Sequence, residues 1–299
     1  MKKNKFSIVL KLAATLLISL LFLTACSSSS SSSSKSSSSK SSSSNSINTL
    51  AQIKKKGVLT VGSSNDAPFA YIDPQTKKFS GVDADIIKEI AKRMGIKKVV
   101  MKQVPFENLI LELNKGSIDM VTDAMYIRKD RLQKAYFTNV WYKEGEAIVI
   151  PKNSSIKSFS DLSGKVIGGQ KGTAFLDLAE KWKKEGKVKD VQVYGKQTDL
   201  MLAVKTGKIA ACVTDGIVAN YTFQKDPSLN LKILKPYKQA ETGKIGAAVS
   251  FKNKALLNAV NKQLDAMKKD GTLKKILAQH NLGNDYYVNV ENGVTKNIK

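Results

Sequence analysis

The stretch Asp123-Ala-Met-Tyr-Ile-Arg-Lys-Asp-Arg131 holds two of the three arginines in a chain that has 49 lysines and arginines in all. A guanidinium presents a planar fork of donors that matches a carboxylate in bidentate fashion, whereas lysine offers a mobile point charge. The stretch therefore reads as a site that holds a small acid, against the plainer alternative of a solvated surface arginine. Thr173 follows Gly168-Gly-Gln-Lys-Gly172 at a predicted helix start, where free backbone N–H groups and the helix dipole favour an anion. That glycine run lacks the Gly-Lys-Ser/Thr ending of a phosphate loop. His280 is the single histidine, and no residues fall at metal-ligand spacing, so neither a metal nor a cofactor is expected. Cys212 lies in an apolar run and reads as a small buried hydrophobe.

Elements that could position these groups alternate along the chain. Strands are expected at 58–61, 99–104 and 118–121, with helices at 83–94 and 106–113 between them. Beyond Pro151 the order repeats, with strands at 166–168, 191–194 and 209–213 and helices at 173–184 and 199–205. A further helix at 216–223 would place Asp215 at its N-cap. Extended apolar segments at 147–150 and 245–249 lead out to the second unit and back, and amphipathic helices at 255–269 and 273–279 follow. The fold class implied is α/β, with two lobes (47–146 plus 246–287, and 147–245) joined by a double crossing that leaves a cleft.

The N-terminal end is a processing signal. Lys2, Lys3, Lys5 and Lys11 precede an uncharged run, 12–23, too short to span a bilayer comfortably. Leu23-Thr24-Ala25-Cys26 resembles a bacterial lipobox, which implies removal of residues 1–25 and a lipid on Cys26. Residues 26–46 are nearly all serine, cannot bury apolar surface, and read as a tether with an r.m.s. reach of roughly 25 Å. Residues 288–299 form a polar tail. The net charge of +24 is spread over the body without an aromatic-basic block, which argues against nucleic acid and fits attraction to anionic headgroups or wall polymers, or simple solvation.

The body resembles the bacterial solute-binding proteins of family 3, the receptors of polar amino-acid ABC importers. The resemblance rests on Gly57-Val-Leu-Thr-Val-Gly62, Ala67-Pro-Phe69, Gly81-Val-Asp-Ala-Asp85, Leu113-Asn-Lys-Gly-Ser-Ile-Asp119, Arg128-Lys-Asp-Arg131, Phe159-Ser-Asp-Leu-Ser-Gly164, Gly207-Lys-Ile209 with Asp215, and Lys269-Asp-Gly-Thr-Leu273. It implies a two-lobed periplasmic-binding-protein fold of type II that closes on its ligand by a hinge. The implied partners are a small zwitterion, a permease, an ATPase and, through the N-terminal lipid, the outer face of a Gram-positive type cytoplasmic membrane, the receptor itself being a monomer. Arg131 and Thr173 match the groups that hold the ligand's carboxylate, and Asp215 matches the acid that receives its ammonium, a role compatible with capping a helix.

Tyr126 departs from the family, which usually carries Ser or Thr there. With Phe69 and Phe106 it could enclose a cation on several faces. Asp66, these three rings and Arg131 resemble the pocket of ectoine-binding members, although Asp215 is foreign to that pattern. Asp66, Asp123 and Asp215 together point instead to an amino acid with a cationic side chain. The rings also have a plain reading as core, Phe106 lying on the predicted amphipathic helix 106–113. An exported dehydratase or wall-cleaving enzyme on the same fold is the rival class. It would need a positioned acid or base, for which Asp66 and Asp123 are the candidates. The expectation is a receptor, not an enzyme.

Overall fold

The computed structural model describes residues 48–240, 242–286 and 288. The processing signal, Cys26, the serine tether and all but the first residue of the polar tail lie outside the described residues.

Lobe 1 opens with α1 (Leu50–Lys56), started by a capping box between Thr49 and Gln52 and ended by Gly57. β1 (Val58–Ser63) is followed by a small hairpin, β2 (Tyr71–Ile72) and β3 (Phe79–Ser80), and then by α2 (Val82–Arg93). Ile86, Ile87 and Ile90 recur on one face of α2 and are fully buried, each contributing roughly 1.5–3 kcal/mol of transfer free energy. Next come β4 (Lys98–Gln103), α3 (Leu109–Asn114), β5 (Met120–Val121), the single turn α4 (Lys129–Leu132) and β6 (Tyr136–Phe137).

β7 (Tyr142–Pro151) carries the chain across. Lobe 2 comprises β8 (Val166–Gln170), α5 (Ala174–Lys184), β9 (Asp190–Tyr194), α6 (Gln197–Lys205), β10 (Ala211–Asp215), α7 (Gly216–Lys225) and β11 (Leu231–Ile233). β12 (Thr242–Ile245) and β13 (Ala248–Val249) return the chain to lobe 1, where α8 (Lys254–Lys269) and α9 (Thr272–Gln279) pack with α2.

The lobe 1 sheet has the order β4-β1-β5-β13-β6, parallel except at β13. The lobe 2 sheet runs β11-β7-β10-β8-β9. β7 belongs to both crossings: Tyr142 to Gly145 pair with β12, while Glu146 to Val149 pair with β10. This is the two-lobed type II arrangement.

Several expected elements shift. The helix expected at 106–113 divides into a 3-10 turn, Phe106–Asn108, and α3, because Pro105 sets an extended start and Asn108 N–H bonds the Pro105 carbonyl at 2.9 Å. Phe106 is thus on the turn rather than on the amphipathic helix. The strand expected at 209–213 begins at Ala211, since Ile209 N–H turns back to Ala203 O to close the end of α6. The return segment 245–249 is not one strand: Gly246 and Ala247 interrupt it, and Ala247 exchanges two hydrogen bonds with Thr138. His280, the single histidine, lies 2.9 Å from Asp85 Oδ2.

Candidate functional site

One cleft between the lobes is lined by all eight residues singled out from the sequence, Asp66, Phe69, Phe106, Asp123, Tyr126, Arg131, Thr173 and Asp215. With its mouth it encloses about 420 Å³ of empty space. The strand ends explain the convergence. Asp66 follows β1, Asp123 follows β5, Thr173 follows β8 and Asp215 closes β10, so the carboxyl ends of strands from both sheets face each other across the crossing.

Arg131 occupies one end. It is 6% exposed, and burial, reinforced by the nearby Arg128, lowers its pKa to about 10. Its guanidinium donates to Tyr126 O in lobe 1 and to Gly172 O in lobe 2, both at 2.9 Å, and lies 5.5 Å from the centre of the Phe106 ring. The fork therefore has donors left over for a ligand carboxylate. Gly172 is required where it stands: its φ is +80°, and a Cβ there would lie 3.0 Å from Glu107 Cα on the opposite wall.

Thr173 is the N-cap of α5. Its hydroxyl donates to Gln170 O at 2.7 Å and accepts from Leu176 N–H at 3.1 Å. The hydroxyl proton is therefore committed to the protein, and what Thr173 offers an anion here is the helix end it stabilises.

The other end is acidic. Asp123 accepts from the Ser63 and Ser64 hydroxyls at 2.6 Å each and from Ser64 N–H at 2.8 Å. Burial still carries its pKa up to about 7. Asp66, half-buried beside it, is pushed well up by desolvation and then by the charges of Asp123, Asp215 and Asp83. Asp215 Oδ1 accepts from Ile217 N–H at 2.6 Å and Val218 N–H at 2.9 Å, so it caps α7 while facing the cleft. Behind these, Asp83 is buried at the start of α2, where it accepts from Ala124 N–H at 2.8 Å and Tyr142 OH at 2.7 Å; desolvation raises its pKa to about 6.

The three rings divide between wall and core. Phe69 is 1% exposed and stacks on Tyr142 with centroids 6.1 Å apart, in the main hydrophobic core. Phe106 turns toward Arg131. Tyr126 meets Phe175 of α5 edge-on at 5.5 Å, joining the lobes. Gly243 makes room for that ring, since a Cβ there would come within 2.0 Å of it.

Sequence reasoning missed Glu144, Gln170, Ala174, Phe175, Gln197 and Thr214, which also line the cleft. Glu144 left one sign: an acid within the extended crossing segment, between Tyr142 and the apolar run Ala147-Ile-Val-Ile150.

Two lobes thus meet over a small cleft lined by one guanidinium, Arg131, and four carboxyl groups, Asp66, Asp123, Glu144 and Asp215. Residues 59–283 match the bacterial extracellular solute-binding proteins, family 3, and the chain belongs to that family. It is 32% identical over 264 residues to the glutamine-binding protein of Geobacillus stearothermophilus, covering 86% of this chain and 99% of that protein. Among solved structures it is similar to an ancestral arginine-binding protein bound to arginine, with TM-score 0.68 and 35% identity over 75% of this chain and 97% of that one. An ancestral amino acid-binding protein described as a precursor of cyclohexadienyl dehydratase also matches, with TM-score 0.67 and 30% identity over 77% of this chain and 98% of that one. These relatives are named as amino-acid-binding proteins.

Proposed function

We propose that the chain captures an amino acid with a positively charged side chain and delivers it to the permease and ATPase of an ABC importer. The observation that carries this reading is the charge imbalance of the cleft. Arg131 faces Asp66, Asp123, Asp215 and Glu144, so one carboxylate and more than one cationic group on the ligand would complement it. The relatives that bind arginine support the same class. An ectoine-like ligand is favoured less, because Phe69 is stacked into the core and Phe106 lies against Arg131 instead of framing a cage.

The chain works tethered at the outer face of the cytoplasmic membrane through lipid on Cys26, as a monomer. Thermal-shift screening against arginine, lysine, glutamine and ectoine tests the ligand class, because a ligand that binds the folded state raises its melting temperature by mass action. The expected order places arginine or lysine first; stabilisation by ectoine alone overturns the assignment. Labelling with radioactive palmitate in a bacterial host tests the anchor, with label expected on the native chain and lost in Cys26→Ala; an unlabelled native chain refutes it.

A further inference from the structure

Glu144 is the one cleft carboxylate that stands on a crossing strand, β7, and it is 4% exposed. Its Oε2 is buried and meets no donor among the described residues. Its carboxyl group lies within hydrogen-bonding range of Asp215, whose Oδ1 is already engaged by two backbone N–H groups. Two carboxylates so close in a buried site cannot both be ionised without a counter-charge. Among the described residues, the other ionisable groups around Glu144 do not supply one. Asp66 from the loop after β1, Asp83 from α2, Tyr142 from its own strand and Tyr286 from the C-terminal turn are acids, and Arg131 stands at the opposite end holding Tyr126 O and Gly172 O.

We propose that Glu144 and Asp215 share one proton while the cleft holds no ligand, and that the pair releases it to solvent when a cationic group of the ligand docks between them. Glu144 is then a specificity-determining residue, and ligand capture is linked to proton release. The inference rests on the cationic-amino-acid reading given above. It accounts for the orphaned oxygen: Oε2 is a seat for an ammonium or guanidinium N–H. Burial and the neighbouring acids raise the Glu144 pKa and burial raises that of Asp215, which favours a proton held on the pair. Because binding expels a proton, affinity rises with pH until the pair is ionised beforehand.

The test is calorimetric titration of the full chain in detergent with arginine, lysine and glutamine, near neutral pH, in buffers of different ionisation enthalpy. Native protein should release protons on binding arginine or lysine. Glu144→Gln, which keeps the shape, should release about one fewer per ligand, leaving whatever Asp66 and Asp123 contribute. Glu144→Ala provides a second variant, and circular dichroism reports the fold of each. Equal proton counts for native and both folded variants overturn the proposal while leaving the receptor intact. Binding of glutamine without arginine or lysine overturns both the shared proton and the cationic reading, yet keeps amino-acid capture; binding of none of the three overturns all of it.

Discussion

Arg128 on the lobe 1 wall reaches Asp177 of α5 in lobe 2 with an Nη2–Oδ2 distance of 2.6 Å, closing the rim of the cleft beside the buried Arg131. The pair is partly solvated, the side chains being 29% and 61% exposed, and under the proposed capture by hinge closure it would have to part when ligand enters. Such pairs contribute roughly 0–1 kcal/mol and weaken with salt. Asp177→Asn should therefore reduce ligand affinity about two- to fivefold, with less salt dependence than the native protein. Small-angle scattering should show a larger radius of gyration; an unchanged radius and affinity would remove the rim pair from the closing equilibrium.

Arg131 is the stricter case. Its fork spans Tyr126 O and Gly172 O and retains donors for ligand, a geometry that a lysine cannot reproduce. Arg131→Lys should weaken binding at least about tenfold, given about 1.5–3 kcal/mol for a hydrogen bond to a charged group. Calorimetry measures the loss directly, and near-native affinity would reassign the carboxylate to another group.

Gly172→Ala should impair closure without unfolding lobe 2. The new methyl group would press on the Glu107 backbone at 3.0 Å and sit at a φ of +80°, a strain of roughly 1–3 kcal/mol. Affinity should fall about fivefold or more. Dissociation should also quicken in stopped-flow fluorescence, and an unchanged off-rate would contradict the close approach.

The buried acids make stability pH-dependent in the ligand-free protein. Asp83 and Asp123 have folded-state pKa values raised to about 6 and about 7 from 3.8. The folded state therefore binds protons that the unfolded state has lost, and stability declines as pH rises through that interval. Melting temperature should drop by roughly 5–10 °C between pH 5 and pH 7.5. Asp83→Asn, which can still meet Ala124 N–H and Tyr142 OH, should flatten the lower part of the decline. A melting temperature that rises over this range would show these carboxylates to be ionised at little cost. Ligand should restore stability most at the higher pH.

Much of this architecture is legible in the order of residues because its signals are local. Ile86, Ile87 and Ile90 mark the buried face of α2, and Thr173 and Asp215 stand at the starts of the helices they precede, whereas α1 is not among the expected elements. The short strands β6, β11 and β12 and the β2–β3 hairpin carry too few residues for periodicity to register, and neighbouring strands decide them. Phe106 moved from helix to turn because one proline changed the start of the segment.

The residues by themselves gave an arginine stretch suited to a small acid, a helix start at Thr173 and a cleft at the double crossing, and the resemblance to family 3 is what implied that Arg131, Thr173 and Asp215 meet there. Only the tertiary structure decided how those groups are spent. It committed the Thr173 hydroxyl to Gln170 O, turned Asp215 into a cap, stacked Phe69 on Tyr142, and brought Glu144 from the crossing strand into the cleft. Hydrogen bonding and burial are settled between segments far apart in the chain, so no window of neighbouring residues contains them.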